Sequence, residues 1–307
     1  MVIFSEAKDS HFLQANNLES ILLLAPLMMV AGLGQMMVIV TRGIDVSVGS
    51  LAGLCAMAVG LVTRSHMDTS APTALLIGAT VGLSLGAFNG LLIAFAEVPP
   101  IIATLGTMIG YRGLIFIVSG SKQIDSNQIP QSIIDLAQKG PFSIGGVECP
   151  WILVIAAVLI GAGGYFLSQT RAGRDIFAVG SNPPAALLRG VPVRRTQFLV
   201  YAITGVLAGI VGVFTMAKYG SVDPGSAGSG LELEVIAAAV LGGTNIAGGS
   251  GTVLGVVAGS LLLATIDVSL IALGISENYQ QLVYGATIML GVVIDGLVKM
   301  RAARVPA

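Results

Sequence analysis

Apolar residues run along this chain in long blocks separated by short polar stretches. Blocks of about 20 residues match the thickness of a bilayer, whereas the helices of soluble domains show a narrower apolar stripe. Seven such blocks predict spans at Ile21 to Val40, Val46 to Val62, Pro72 to Ala96, Pro99 to Ser119, Trp151 to Leu167, Phe198 to Ala217 and Leu282 to Val298. An eighth block, Leu231 to Leu270, is too long for one crossing. The run GGTNIAGGSG, Gly242 to Gly251, divides it into a short first segment and a longer second one joined by a glycine-rich turn. The pattern therefore predicts an all-α polytopic membrane bundle of about nine segments, with residues 1–307 as one domain.

Composition agrees: 54% of residues are hydrophobic and 10% charged, which leaves no tract for a separate soluble domain. A net charge of -1 and dispersed basic residues give no nucleic-acid surface. No Gly-rich stretch ends in Gly-Lys-Ser/Thr, so any ATP-driven activity needs a partner. Cys55 sits in an apolar run and Cys149 in a polar loop, without metal-ligand company, so neither a disulfide nor a metal site is expected.

Five of the fifteen basic residues, Arg171, Arg174, Arg189, Arg194 and Arg195, fall in one loop, 168–197, which the positive-inside rule places in the cytoplasm with the C-terminal tail. Alternating outwards from these fixed points puts the N-terminus outside with no span to carry it there. A helix upstream of Met1, or its loss, is the expectation. GLSLGAFNGLLIA, Gly82 to Ala94, and GTVLGVVAGSLLLA, Gly251 to Ala264, share three glycines four residues apart, and each follows a Gly-aliphatic-acid start, GIDVSV at Gly43 or GLELEV at Gly230. The two sets run in opposite senses, as in the inverted repeats of transporters. Close helix packing alone would also account for the glycines.

Within the basic loop, Ser181 or Asn182 can cap a helix that tolerates Pro183 and Pro184 in its first turn and stops at Gly190. It reads either as a docking helix for a cytoplasmic protein or as a surface helix that only orients the chain. Among polar residues in or beside apolar runs, Asp45 pairs with Arg42, caps the following helix or faces a pathway. Gln35 and Asn89 hydrogen-bond a solute or another helix, while Arg112 needs a partner or a watery cavity, or snorkels to the outer face. Glu232 and Glu234 cap a segment or meet an external partner, Asp267 and Asp295 read as solvated span ends, and His11 and His66 form no site. No nucleophile-base pair or ligand cluster exists, so an enzyme is not expected.

TRGIDVSVGSLAGL, GAFNGLLIA, IATLGTMIGYRG, TRAGRDIFAVGSNPPAALLRGVPV and LELEVIAAAVLGGTNIAGGSGTVLG occur in this order over nearly the whole chain. In these stretches it resembles the permease subunits of ribose, xylose and arabinose type ABC importers, a group that also includes autoinducer-2 permeases. The resemblance implies import of a monosaccharide or similar small polyol across the bacterial inner membrane. It also implies a second permease copy or related chain, a periplasmic or surface-tethered binding protein, and a cytoplasmic ATPase that binds ATP and Mg. This chain would hold no cofactor itself. The ATPase-coupling helix maps onto Gly180, Ser181, Asn182, Ala185, Ala186, Leu187, Arg189 and Gly190, and Gln35, Asp45, Ser47, Asn89 and Asn245 are candidate pathway residues. Members of the group usually have ten spans, one more before the SHFLQANN loop. The rivals are a secondary transporter or channel, which would carry ionisable residues near the midplane, and a permease for branched-chain amino acids.

Overall fold

The computed structural model describes residues 15–275 apart from Gly145, together with Tyr279, Leu282, Val283, Gly285, Ala286 and Met289. Most of the span predicted at Leu282 to Val298 and the basic tail lie outside the described residues, as do His11 and Asp295.

Helices α1 (Ala15–Val40), α2 (Val48–Ser65), α3 (Ala71–Ala94) and α4 (Pro100–Ser119) are followed by a polar segment. That segment holds a short 3-10 turn, α5 (Gln131–Gln138) and a hairpin of β1 (Phe142–Ile144) and β2 (Val147–Cys149). Then come α6 (Trp151–Gln169), α7 (Arg171–Ser181), α8 (Pro183–Leu188), α9 (Val193–Tyr219), α10 (Leu231–Leu241) and α11 (Val253–Ala272). Seven of these helices are long and apolar enough to cross a membrane, and the short α10 with its glycine turn is the divided segment that the sequence predicts. The hairpin was not expected of an all-helical chain; it places Cys149, itself buried, at the end of a strand rather than in a loop.

The segment boundaries have local causes. Ser70 caps α3 by accepting from Thr73 N, and Thr252 caps α11 by accepting from Gly255 N. Gly120 and Gly220 end α4 and α9 in the left-handed conformation that glycine adopts without strain. α1 is enclosed along most of its length by α6, α9, α10 and α11, whereas α4 and α6 expose Ile102, Ile109, Ile117 and Val158 on outward faces, as lipid contact requires.

α3 lies along α9 and α11 lies along α1, so two three-helix sets, α1–α3 and α9–α11, exchange their last helices. Gly78, Gly82 and Gly86 of α3 interlock with Gly205 and Gly209 of α9, backbone against backbone: a Cβ on Gly82 would meet the Gly205 carbonyl. Gly259 of α11 meets the Ala238 carbonyl of α10 in the same way. Since the obstructing atoms are backbone, Gly82→Val must pry α3 from α9. Overpacking of this kind costs roughly 1–3 kcal/mol or more, and a lower melting temperature of the detergent-solubilised protein is the expected readout.

Candidate functional site

Between α1 and α2 the chain doubles back. Arg42 adopts a left-handed backbone (φ 67°), and residues 43–47 return alongside α1 to the level of Gln35. The Gln35 amide donates to the Asp45 carbonyl at 3.1 Å and accepts from the Asp45 N–H at 3.3 Å. The buried Asp45 carboxylate accepts from both the backbone N–H (2.8 Å) and the hydroxyl (2.6 Å) of Ser47, the residue that begins α2. Asn89 of α3 donates to the Ser47 hydroxyl at 2.8 Å, and Tyr111 of α4 donates to Asn89 Oδ1 at 3.2 Å and to the Leu85 carbonyl at 2.9 Å. Four of the five candidate pathway residues, Gln35, Asp45, Ser47 and Asn89, therefore belong to one buried network whose polar groups satisfy one another, as interior polar groups must.

Asn245, the fifth, stands apart: it staples the glycine-rich turn by donating to the Gly248 carbonyl (3.1 Å) and accepting from Ala247 N (3.2 Å). Asp45 holds the start of α2 through Ser47 and does not pair with Arg42, whose guanidinium goes elsewhere. Tyr111 was not expected in the network. Its only signal was a hydroxyl among apolar residues, four positions from Thr107 on one helix face.

The break between α9 and α10 faces the first one. The Gly228 and Ala227 carbonyls lie directly against Gly49 and Gly53 in the first turns of α2. Arg112 donates to the Ala227 carbonyl at 2.7 Å, so it finds a partner instead of snorkelling. Tyr111 and Arg112, consecutive on α4, thus serve the two breaks in turn. Beside the second break is a cavity of about 430 Å³, lined on one side by Leu24, Leu27 and Met28 of α1. Thr215, Ser221, Ser226 and Ser229 line it, with Asp223, Glu234 and Asp267. Among the described lining residues there is no Lys, Arg or His. Asp267 is a cavity residue rather than a solvated span end, and α10 starts without a side-chain cap from either of its glutamates.

The opposite end of α1 meets the basic loop. α7 is capped by Thr170, which accepts from Gly173 N at 3.0 Å. After it a single residue, Asn182, caps α8 by accepting from Ala185 N at 3.1 Å; Ser181 is the last residue of α7. α8 closes through Gly190 (φ 80°), whose N–H donates to the Leu187 carbonyl at 2.9 Å. Gly180 and Ala186 are buried in the chain's own packing, Ala186 at 3% exposure, so neither offers a side chain to a partner. Leu187 and Leu188 are 65% and 89% exposed, with Arg189 beside them. Leu188 escaped the sequence reading because helix periodicity does not fix which face of so short a helix its neighbours cover.

The model of a family described as "Branched-chain amino acid transport system / permease component" matches residues 17–292. The autoinducer 2 import system permease protein LsrC of Enterobacter sp. (strain 638) is 38% identical over 298 residues, 97% of this chain and 84% of that protein. The LsrC protein of Klebsiella pneumoniae subsp. pneumoniae is 40% identical over 272 residues, 89% and 76% of the two chains. That of Salmonella typhimurium is 33% identical over 304 residues, 99% and 85%. No solved structure gives a significant match.

Proposed function

Since the chain belongs to the permease component family of branched-chain amino acid type transport systems, we propose that it is the membrane-spanning subunit of an ATP-driven importer for a small polyhydroxylated solute in the bacterial inner membrane. Autoinducer 2 is the first candidate cargo, because relatives similar over nearly the full chain carry that name. The single observation that carries the reading is α8, a short helix capped at both ends that presents Leu187 and Leu188 outwards. An exposed leucine pair on a loop carrying five arginines suits a protein partner on the cytoplasmic side, and that partner is the ATPase. A binding protein delivers solute from outside, and a second permease copy or a related chain completes the pathway.

The cavity beside α10 is the outer mouth of that path. Carboxylates and hydroxyls accept hydrogen bonds from a neutral polyol. A sugar-like cargo is favoured over a branched-chain amino acid by the relatives similar over nearly the full chain that carry the autoinducer 2 name. The test is uptake of labelled autoinducer 2, ribose and leucine by the complete importer in proteoliposomes with ATP supplied to the ATPase side. ATP-dependent entry of one of the first two supports the reading, and entry of leucine alone overturns it. Glu234→Gln with Asp267→Asn is expected to raise the apparent KM for uptake by roughly tenfold, the size of one lost charge-assisted hydrogen bond, with the maximal rate little changed.

A further inference from the structure

The end of α7, the end of α1 and the glycine-rich turn before α11 converge on one side chain. Arg42 Nε donates to the Gly180 carbonyl at 2.6 Å, and its Nη2 donates to the Ser181 carbonyl at 2.7 Å. Both carbonyls belong to the last turn of α7, where oxygens lack helical partners and the helix dipole is negative. Around this fork the backbones touch. Gly180 lies against the Val40 carbonyl, and the same carbonyl accepts from Gly249 N at 2.9 Å. A Cβ on Gly248 (φ 88°) would stand 2.5 Å from Arg42 Cγ. Neither of the two ion pairs among the described residues involves Arg42. Its charge is committed to the backbone of α7.

Short connections link this fork to the parts that act. On one side, Asn182 alone separates α7 from α8. On the other, Gly43 and Ile44 alone separate Arg42 from Asp45 and the network that begins α2. The Tyr201 hydroxyl lies buried beside Gly43 without a partner, so the returning segment has an unused donor within reach of a shifted backbone. A displacement of α8 cannot leave this segment in place while the fork holds.

We propose that Arg42 is the positioning residue through which movement of α8 reaches the α1–α2 break. The inference rests on the importer reading above. In the complete importer reconstituted with ATP, solute uptake and ATP hydrolysis are measured side by side. For Arg42→Ala the expected result is hydrolysis within about twofold of wild type and solute moved per ATP lower by roughly tenfold or more, within the ordinary range of coupling between sites. Arg42→Lys, which keeps one charged donor, should restore part of the ratio. Gly248→Ala, which pushes on the arginine stem without removing it, should lower the ratio in the same direction and serves where Arg42→Ala yields too little protein. An unchanged ratio in these variants overturns the relay and leaves the importer reading standing. Wild-type uptake that needs no ATP overturns both.

Discussion

Replacing Leu187 and Leu188 together by glutamate is expected to lower uptake by about a hundredfold while leaving the amount of chain in the membrane unchanged. Both side chains are exposed in the chain itself, at 65% and 89%, so charges there disturb no internal packing. In the proposed contact with an ATPase each leucine would bury its apolar surface, worth roughly 1.5–3 kcal/mol. Losing two such contacts weakens docking by about 3 kcal/mol or more, or some hundredfold in affinity. Ala186→Glu is the instructive contrast. Its site is inside the chain's own packing, so it should reduce the yield of folded protein, and an uptake defect there says nothing about docking. Immunoblotting of membranes beside the uptake assay separates the two effects.

The second large effect is expected at Ser47. Its hydroxyl is at once the donor to Asp45 and the acceptor from Asn89, at 2.6 and 2.8 Å. Ser47→Ala leaves a buried carboxylate with one bond fewer and a buried amide with none to that side. At about 1–3 kcal/mol for each of the two unsatisfied groups, the loss is roughly 2–6 kcal/mol. A fall of several degrees or more in the melting temperature of the purified protein is the measurement. Asn245→Ala, which removes only the two local bonds that staple the glycine-rich turn, should cost much less. Equal effects from the two would mean that the network around Asp45 is not what holds the α1–α2 break.

Which parts of this were legible in the sequence follows from the kind of force involved. Spans were legible because a bilayer demands apolar length, and α10 with its glycine turn was legible because a mostly apolar block of about forty residues exceeds one crossing. The cap of α8 was legible because Asn-Pro-Pro and Gly190 act within a few residues of themselves. Tertiary contacts were not. Arg42 and Asp45 are three residues apart and of opposite charge, so pairing was a fair expectation, but the left-handed turn at Arg42 sends the guanidinium to α7, 138 residues away. Gln35, Asp45, Ser47 and Asn89 were each picked for polarity in an apolar setting; that they meet one another depends on α1 and α3 lying beside the same break. Ala186 and Leu188 differ only in which side of a six-residue helix the chain covers, and nothing in their spacing tells that.

The most direct test of the account is to tag the chain, extract it from native membranes in mild detergent and identify what co-purifies by mass spectrometry. An ATPase carrying Gly-x-x-x-x-Gly-Lys-Ser/Thr is expected with wild type and is expected to be absent when Leu187 and Leu188 are glutamate. Recovery of the chain without any ATPase, under conditions that preserve a known ABC complex, or equal recovery of the ATPase with the double variant, would contradict it.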